Sequence, residues 1–275
     1  MKKEDFVIIA GMPRAGTTYM YQMLRKHPHF FLPPVKETNY FLYNYKRGME
    51  WFEDLYQSAE NGSKIFDISP FYFLDKEALK RIKSFNSDQK LILILREPNS
   101  WVKSFYKQVK SQSYGLSDFS NFINRYEVKF EGFKMTLELQ KFDFKKRIEE
   151  FRILFGENLL LVDFDAFSKN KLTILKEIEN FVEVEPFFTE KNIIQEKVNA
   201  GKRDNNKFIT YLSTISILRT IAFNFLPEKI IHFIRNKYIL GEAINDYKEE
   251  QLPDIYHKDY NFQDLFEGTH GVIRG

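Results

Sequence analysis

Phe6 to Thr18 reads FVIIAGMPRAGTT and changes character twice in that short span. Phe6, Val7, Ile8, Ile9 and Ala10 are continuously apolar and partly β-branched, the pattern of a buried strand. Gly11-Met12-Pro13-Arg14-Ala15-Gly16 follows, a turn with two glycines and a proline. From Thr17 onward Tyr19, Met20, Met23 and Leu24 recur at helical spacing. The helix is expected to stop near His27-Pro28, because proline lacks an N–H and clashes with the preceding turn. Strand, glycine turn and helix in this order gather backbone N–H groups around one spot, where the helix N-terminus carries partial positive charge. Glycine lets the backbone approach a ligand with no side chain in the way. That geometry cradles a phosphate-shaped anion, although an ordinary strand-turn-helix connection shares the outline and other features have to decide.

Gly11 and Gly16 have the spacing of the P-loop pattern G-x-x-x-x-G-K-S/T. Thr17 stands where that pattern has its lysine, and the basic residue lies inside the loop at Arg14. ATPases and GTPases use the lysine on the β- and γ-phosphates and the following hydroxyl on Mg²⁺. The sequence therefore argues against both and keeps the anion.

The 275 residues make one large domain, or one domain with an appendage, with 43% apolar residues to fill a core and 29% charged residues to cover it. The 29 Phe and 15 Tyr residues are read mostly as core. A net charge of +3 leaves no nucleic-acid footprint. Without cysteine there are no disulfides and no thiolate metal sites, which fits a reducing compartment. The start, MKKEDFVIIAG, lacks the apolar run of a signal peptide. No stretch of about 18 uncharged apolar residues marks a transmembrane helix. A cytoplasmic protein is expected.

Along the chain, Phe30 to Phe41 reads FFLPPVKETNYF. Pro33-Pro34 forces an extended course, so Lys36 and Glu37 fall on a loop ahead of the aromatic pair Tyr40-Phe41. A solvated ion pair is the ordinary fate of adjacent Lys and Glu. Asn44 to Gly62 reads as a polar helix, Lys64 to Asp67 as a strand before an Ile68-Ser69-Pro70 turn, and Asp75 to Phe85 as a helix capped by Asp75. KLILIL, Lys90 to Leu95, is the strongest strand and reads as an interior parallel one. It ends in Arg96-Glu97-Pro98, and a helix follows. Arg96 at the carboxyl end of a central strand is costly without an anionic partner. Open α/β sheets bind ligands at that edge. Ser104, eight positions on, can face the same site.

Residues 111–135 read as a loop and a short helix bordering an acceptor site. A long helix at 137–154, a strand at Leu159 to Phe164 and a helix at Leu172 to Val182 follow. Asp163 and Asp165 are read as polar contacts or helix caps. Lys197 to Lys207 is a basic loop. Phe208 to Leu226 and Lys229 to Ile239 are apolar helical segments separated by Pro227. They read as a helical cover on the domain in preference to a membrane-surface or partner-binding hairpin. A final helix, Tyr260 to Phe266, and a frayed end close the chain.

Three of these stretches together resemble the sulfotransferases that use 3′-phosphoadenosine 5′-phosphosulfate (PAPS). GMPRAGTT resembles their 5′-phosphosulfate-binding loop. LREPNSWVKSFY resembles their 3′-phosphate-binding strand and helix, in which an Arg and a later Ser clasp the 3′-phosphate; these match Arg96 and Ser104. PVKETNYF resembles the loop that holds the catalytic base in the carbohydrate and tyrosyl-protein branches, which puts the base at Glu37. FDISPFYF resembles the intervening strand and Ser-Pro turn. Gly201-Lys202-Arg203 is similar in position to a further 3′-phosphate-binding segment. The resemblance runs in order over roughly residues 5 to 205. Two departures stand out. Arg14 replaces the lysine of the cytosolic branch, as it does in the tyrosyl-protein branch. Ile68 replaces a lysine carried by several glycan-modifying members, which points away from a heparan-like acceptor.

The resemblance implies an α/β, P-loop-like three-layer fold with a central parallel sheet flanked by helices. The core is expected over 1–205 and the helical C-terminal part over 206–275. It implies transfer of a sulfuryl group from PAPS, without a metal, to a hydroxyl of a carbohydrate or small metabolite. Arg14, Ala15, Gly16, Thr17 and Thr18 would hold the 5′-phosphate. Arg96, Ser104, Gly201, Lys202 and Arg203 would hold the 3′-phosphate. Glu37 would act as general base, with Lys36 and Arg14 at the reacting centre. The competing readings are a P-loop small-molecule kinase and a non-catalytic nucleotide-binding or membrane-surface protein using 208–239.

Overall fold

A computed structural model of the protein describes residues 2–112, 118–130, 133–194, 252–256 and 262–275. Of two compact units, one comprises Met1–Ile193 and Leu252–Gly275. The other, Ile194–Gln251, lies outside the described residues except for Ile194. Gly201, Lys202, Arg203, the helical cover and the 205/206 boundary therefore lie outside them too.

The centre is β1 (Phe6–Gly11), buried along its whole length. It pairs in parallel with β3 (Lys64–Ile68) on one side and β4 (Lys90–Leu95) on the other. Beyond β3 lies β2 (Phe30–Phe31), and beyond β4 lies β7 (Leu159–Asp163), both parallel. β8 (Val272–Arg274) closes the sheet antiparallel to β7, giving the order β2-β3-β1-β4-β7-β8. Strands covered by helices on both faces carry no polar face, so these read as apolar runs. β1, β3 and β4 all end at one edge, at Gly11, Ile68 and Leu95.

The connecting helices are α1 (Thr17–Leu24), α2 (Gly48–Asp54), α3 (Lys76–Phe85), α4 (Pro98–Gln112), α5 (Phe119–Asn124), α6 (Phe144–Phe155), α7 (Phe164–Lys169) and α8 (Lys171–Val182). Asp75 caps α3 by accepting from Ala78 N–H at 2.7 Å. Asp163 caps α7 by accepting from Asp165 and Ala166 N–H. The aromatic residues are largely core, as composition suggested. Phe6, Phe41, Phe52, Tyr56 and Phe85 stack or meet edge to face in one cluster.

Several sequence expectations change. The helix expected over Asn44 to Gly62 is only α2, because Gly48 at φ 84° interrupts the run. Phe52 and Tyr56 still turn inward. Residues 111–135 hold α5 and also the antiparallel hairpin β5 (Tyr126–Phe130) with β6 (Phe133–Leu137), where no strand was expected. The helix expected from 137 starts at Phe144, with Asp143 as its cap. The end of the chain is not frayed: β8 covers the edge of β7 that would otherwise expose unpaired backbone groups. A 3-10 helix, Phe262–Phe266, precedes it.

Candidate active site

The chain leaves β1 at Gly11, whose φ of 146° is open to glycine and whose missing Cβ would stand 2.5 Å from the Ile94 carbonyl oxygen. The loop is tied to β4, Met12 N–H donating to that oxygen at 3.0 Å. Arg14 is exposed and held at φ 71°, a left-handed conformation that costs about 1–3 kcal/mol and clusters at ligand sites. Gly16 is the residue before α1, also left-handed, with the rings of Phe164 and Phe167 where a side chain would go. The loop thus meets the requirements of an anion cradle. Ala15 differs from expectation in one respect. Its N–H donates to the Met12 carbonyl at 3.0 Å, closing the turn, so the N–H groups left at the start of α1 are those of Gly16, Thr17 and Thr18.

Arg96 follows β4 at the same edge. Its Nη1 donates to the Arg14 carbonyl at 3.1 Å and its guanidinium lies 4.8 Å from the centre of the Phe164 ring. Its Nε is buried without a hydrogen-bond partner. Burial pulls the Arg96 guanidinium below its ordinary range; Asp165 opposes this and the nearby Arg14 cation adds to it. A half-buried cation beside a second cation, with one buried donor unpaired, favours an anionic partner. Ser104 lies half-buried on the second turn of α4. That helix is pinned to the loop by Trp101, whose Nε1–H donates to the Pro13 carbonyl at 2.8 Å. Glu97 caps it through the N–H groups of Asn99 and Ser100.

Lys36 and Glu37 lie on the loop after β2, bonded to each other. The Lys36 side chain is 5% exposed and that of Glu37 is 36% exposed, which is not the fate of a solvated surface pair. Glu37 has φ 66° and Asn39 φ 46°. Tyr21 on α1 fastens the approach to this loop by donating to the carbonyls of Pro33 and Pro34 at 2.7 and 3.2 Å. Tyr40 and Phe41 do not surround the carboxylate. Both are buried in the aromatic core, Tyr40 stacking on Phe52 at 4.3 Å, and they anchor the loop. Ile68, 3% exposed, is the last residue of β3.

Beneath the loop lies a group that the sequence reading passed over. Asp67 on β3 is fully buried and accepts from Thr38 and Ser69 hydroxyls at 2.9 Å each and from the Tyr72 hydroxyl at 2.8 Å. Burial pushes its carboxyl up to about 6, against the pull of those three hydrogen bonds. A carboxylate inside the apolar strand KIFDI was the available signal, since a buried charge demands partners. Tyr21 and Trp101 gave no such signal.

The model of the sulfotransferase domain family matches residues 4–210. Human heparan sulfate glucosamine 3-O-sulfotransferase 6 is 32% identical over 112 residues, covering 41% of this chain and 32% of that protein. The membrane-associated sulfotransferase kil1 of Dictyostelium discoideum is 29% identical over 93% of this chain and 57% of that protein. The chain thus spans roughly a third to a little over half of the length of these relatives. Among solved structures, a sulfotransferase from Alicyclobacillus acidocaldarius shares the fold, with a TM-score of 0.57 at 17% identity over 84% of this chain and 97% of that one. With the family model spanning most of the chain, and a glycine loop, a half-buried arginine and a carboxylate loop gathered at one sheet edge, the chain belongs to the sulfotransferase family.

Proposed function

We propose that the chain transfers a sulfuryl group from PAPS to a hydroxyl of a carbohydrate acceptor. The observation that carries this reading is Arg96: a half-buried guanidinium with a buried, unpaired Nε, beside Arg14 and the glycine loop. Two arginines at one sheet edge suit a ligand with two separated anionic groups. Bound PAPS would supply the sulfuryl group and depart as 3′-phosphoadenosine 5′-phosphate (PAP). Arg14 and the N–H groups of Gly16, Thr17 and Thr18 would hold the 5′-phosphate and meet the charge that develops there. Arg96 and Ser104 would hold the 3′-phosphate. Glu37 would take the proton from the acceptor hydroxyl, and Lys36, bonded to that carboxylate, would steady the sulfuryl oxygens. Positioning and electrostatics would carry most of the rate. The relatives named for heparan sulfate, a hydroxyl-rich glycan, support a carbohydrate acceptor, against the direction that Ile68 suggested.

The test uses labelled PAPS with heparan sulfate as the probe acceptor, and thermal unfolding with PAP, ADP or ATP–Mg²⁺. PAP alone should stabilise the fold, and Glu37→Gln should lower kcat by about 10²–10⁴-fold while the PAP shift is unchanged. Stabilisation by ATP–Mg²⁺ in place of PAP would overturn the donor assignment in favour of a kinase. Turnover within about threefold of the parent in Glu37→Gln would remove the base assignment.

A further inference from the structure

The three hydroxyls around Asp67 each have a second partner. Ser69 Oγ accepts the N–H of Asn39 at 3.0 Å, Thr38 Oγ1 that of Tyr40 at 3.3 Å and Tyr72 OH that of Phe41 at 3.2 Å. These are the backbone N–H groups of three successive residues in the loop that carries Glu37. Asn39 also donates from Nδ2 to the Glu37 carbonyl at 3.1 Å, so the register reaches the glutamate itself. A hydroxyl has one proton. Each hydroxyl here accepts from the loop and gives its one proton to Asp67. The direction of all three relays, from loop amide to hydroxyl to carboxylate, is therefore set by one charge.

We propose that Asp67 is the positioning residue of the general base: its ionised carboxylate, acting through Ser69, Thr38 and Tyr72, holds the Glu37 loop in its left-handed conformation. The proposal rests on the reading of Glu37 as base for its catalytic consequence, and on geometry alone for its structural one. A protonated Asp67 has a proton of its own to place on one of the three hydroxyls. That hydroxyl then gives up Asp67 as the acceptor of its own proton and must reorient in a buried site, which weakens its hold on the loop N–H. With burial pushing Asp67 up to about 6, this weakening falls within reach of ordinary assay pH. The other groups facing it are few. Glu37 on the loop adds to the cost of its charge, and Tyr72 donates to it. Tyr56, from the turn after α2, is itself pushed up partly by the Asp67 charge. From β1 the residue in register is Ile8, which is apolar.

The experiment is amide hydrogen exchange resolved to residues 37–42, corrected for intrinsic rates, with β4 as the internal reference. It is run on the parent and Asp67→Asn at pH 5 and pH 7, with PAP stabilisation as the check of folding. In the parent, protection of residues 39–41 relative to β4 should fall at least tenfold from pH 7 to pH 5. In Asp67→Asn it should be low at both. Ser69→Ala, a milder change that frees the Asn39 N–H and removes one of the three donors to Asp67, should lower protection there if Asp67→Asn does not fold. Sulfuryl transfer to heparan sulfate should show kcat falling with protection while KM for PAPS is unchanged. Equal protection at both pH values in the parent, or protection unaltered in Ser69→Ala, overturns the proposal. An active Glu37→Gln beside lost protection in Asp67→Asn would overturn the base reading alone. An inactive Glu37→Gln beside an Asp67→Asn of full activity and protection would overturn the positioning role alone.

Discussion

Arg96 is a half-buried cation whose neighbours neutralise it incompletely. Asp165 attracts it, Arg14 repels it, and its Nε has no acceptor. A ligand phosphate would relieve both deficits with a charge-assisted bond. Arg96→Ala should accordingly lose the thermal shift with PAP, which at 100 times the dissociation constant is worth about 2.7 kcal/mol. A variant that keeps the full shift would take Arg96 out of the donor site. Gly11 makes a different kind of demand. A methyl group there would meet the Ile94 carbonyl at 2.5 Å on a backbone with φ 146°. Gly11→Ala should destabilise by about 1–3 kcal/mol, read as a lower midpoint in urea. Stability equal to the parent would show that the loop gives way more easily than this packing implies.

At the level of elements, the site is a set of loops fixed to one another by few bonds. α4 reaches the glycine loop through the Trp101–Pro13 hydrogen bond, and its first two turns are fastened to the segment 252–256. There Asn99 Oδ1 accepts from Ile255 and Tyr256 N–H at 2.9 and 3.0 Å, and Lys103 pairs with Asp254. The Trp101 bond is buried, so removing its donor leaves the Pro13 carbonyl unpaired. Trp101→Phe should lower stability by about 1–3 kcal/mol and weaken PAP binding, because the helix carrying Ser104 loses its tie to the loop. Calorimetric titration of PAP checks this. Affinity equal to the parent's would mean that β4 alone sets the position of α4.

Over the whole molecule, the buried Asp67 carboxylate exchanges stability for arrangement. Its folded value near 6 lies above the unfolded value of about 3.9, so the folded chain binds this proton more tightly. Its contribution to stability is fully present below about pH 4 and is lost as pH rises towards about 6. Asparagine at this position carries no such charge. The unfolding free energy of Asp67→Asn relative to the parent should therefore rise by about 3 kcal/mol from pH 4 to pH 8. Denaturant unfolding at the two pH values measures it. A difference independent of pH would mean that Asp67 titrates as it does in the unfolded chain. Catalysis should run the other way, improving as pH rises through 6, which separates a positioning charge from a merely stabilising one.

By itself the sequence determined the frame. Residues 6–18 could be little other than buried strand, glycine turn and helix, and KLILIL little other than an interior strand. Arg96 at the end of that strand called for an anionic partner, whether a ligand or a carboxylate of the chain. These are local facts: an apolar run, a glycine pair, a charge at a strand terminus. Only the tertiary structure decided how the Glu37 loop is held. The hydroxyls of Thr38, Ser69 and Tyr72 meet at Asp67 because β3 lies beneath a loop that left the sheet about 30 residues earlier, and spacing along the chain does not encode that meeting. It also decided that residues 272–274 complete the sheet, since a short strand becomes one only when the open edge of β7 offers it partners. Long-range pairing of backbone and hydroxyl groups depends on which surfaces the packed core brings together.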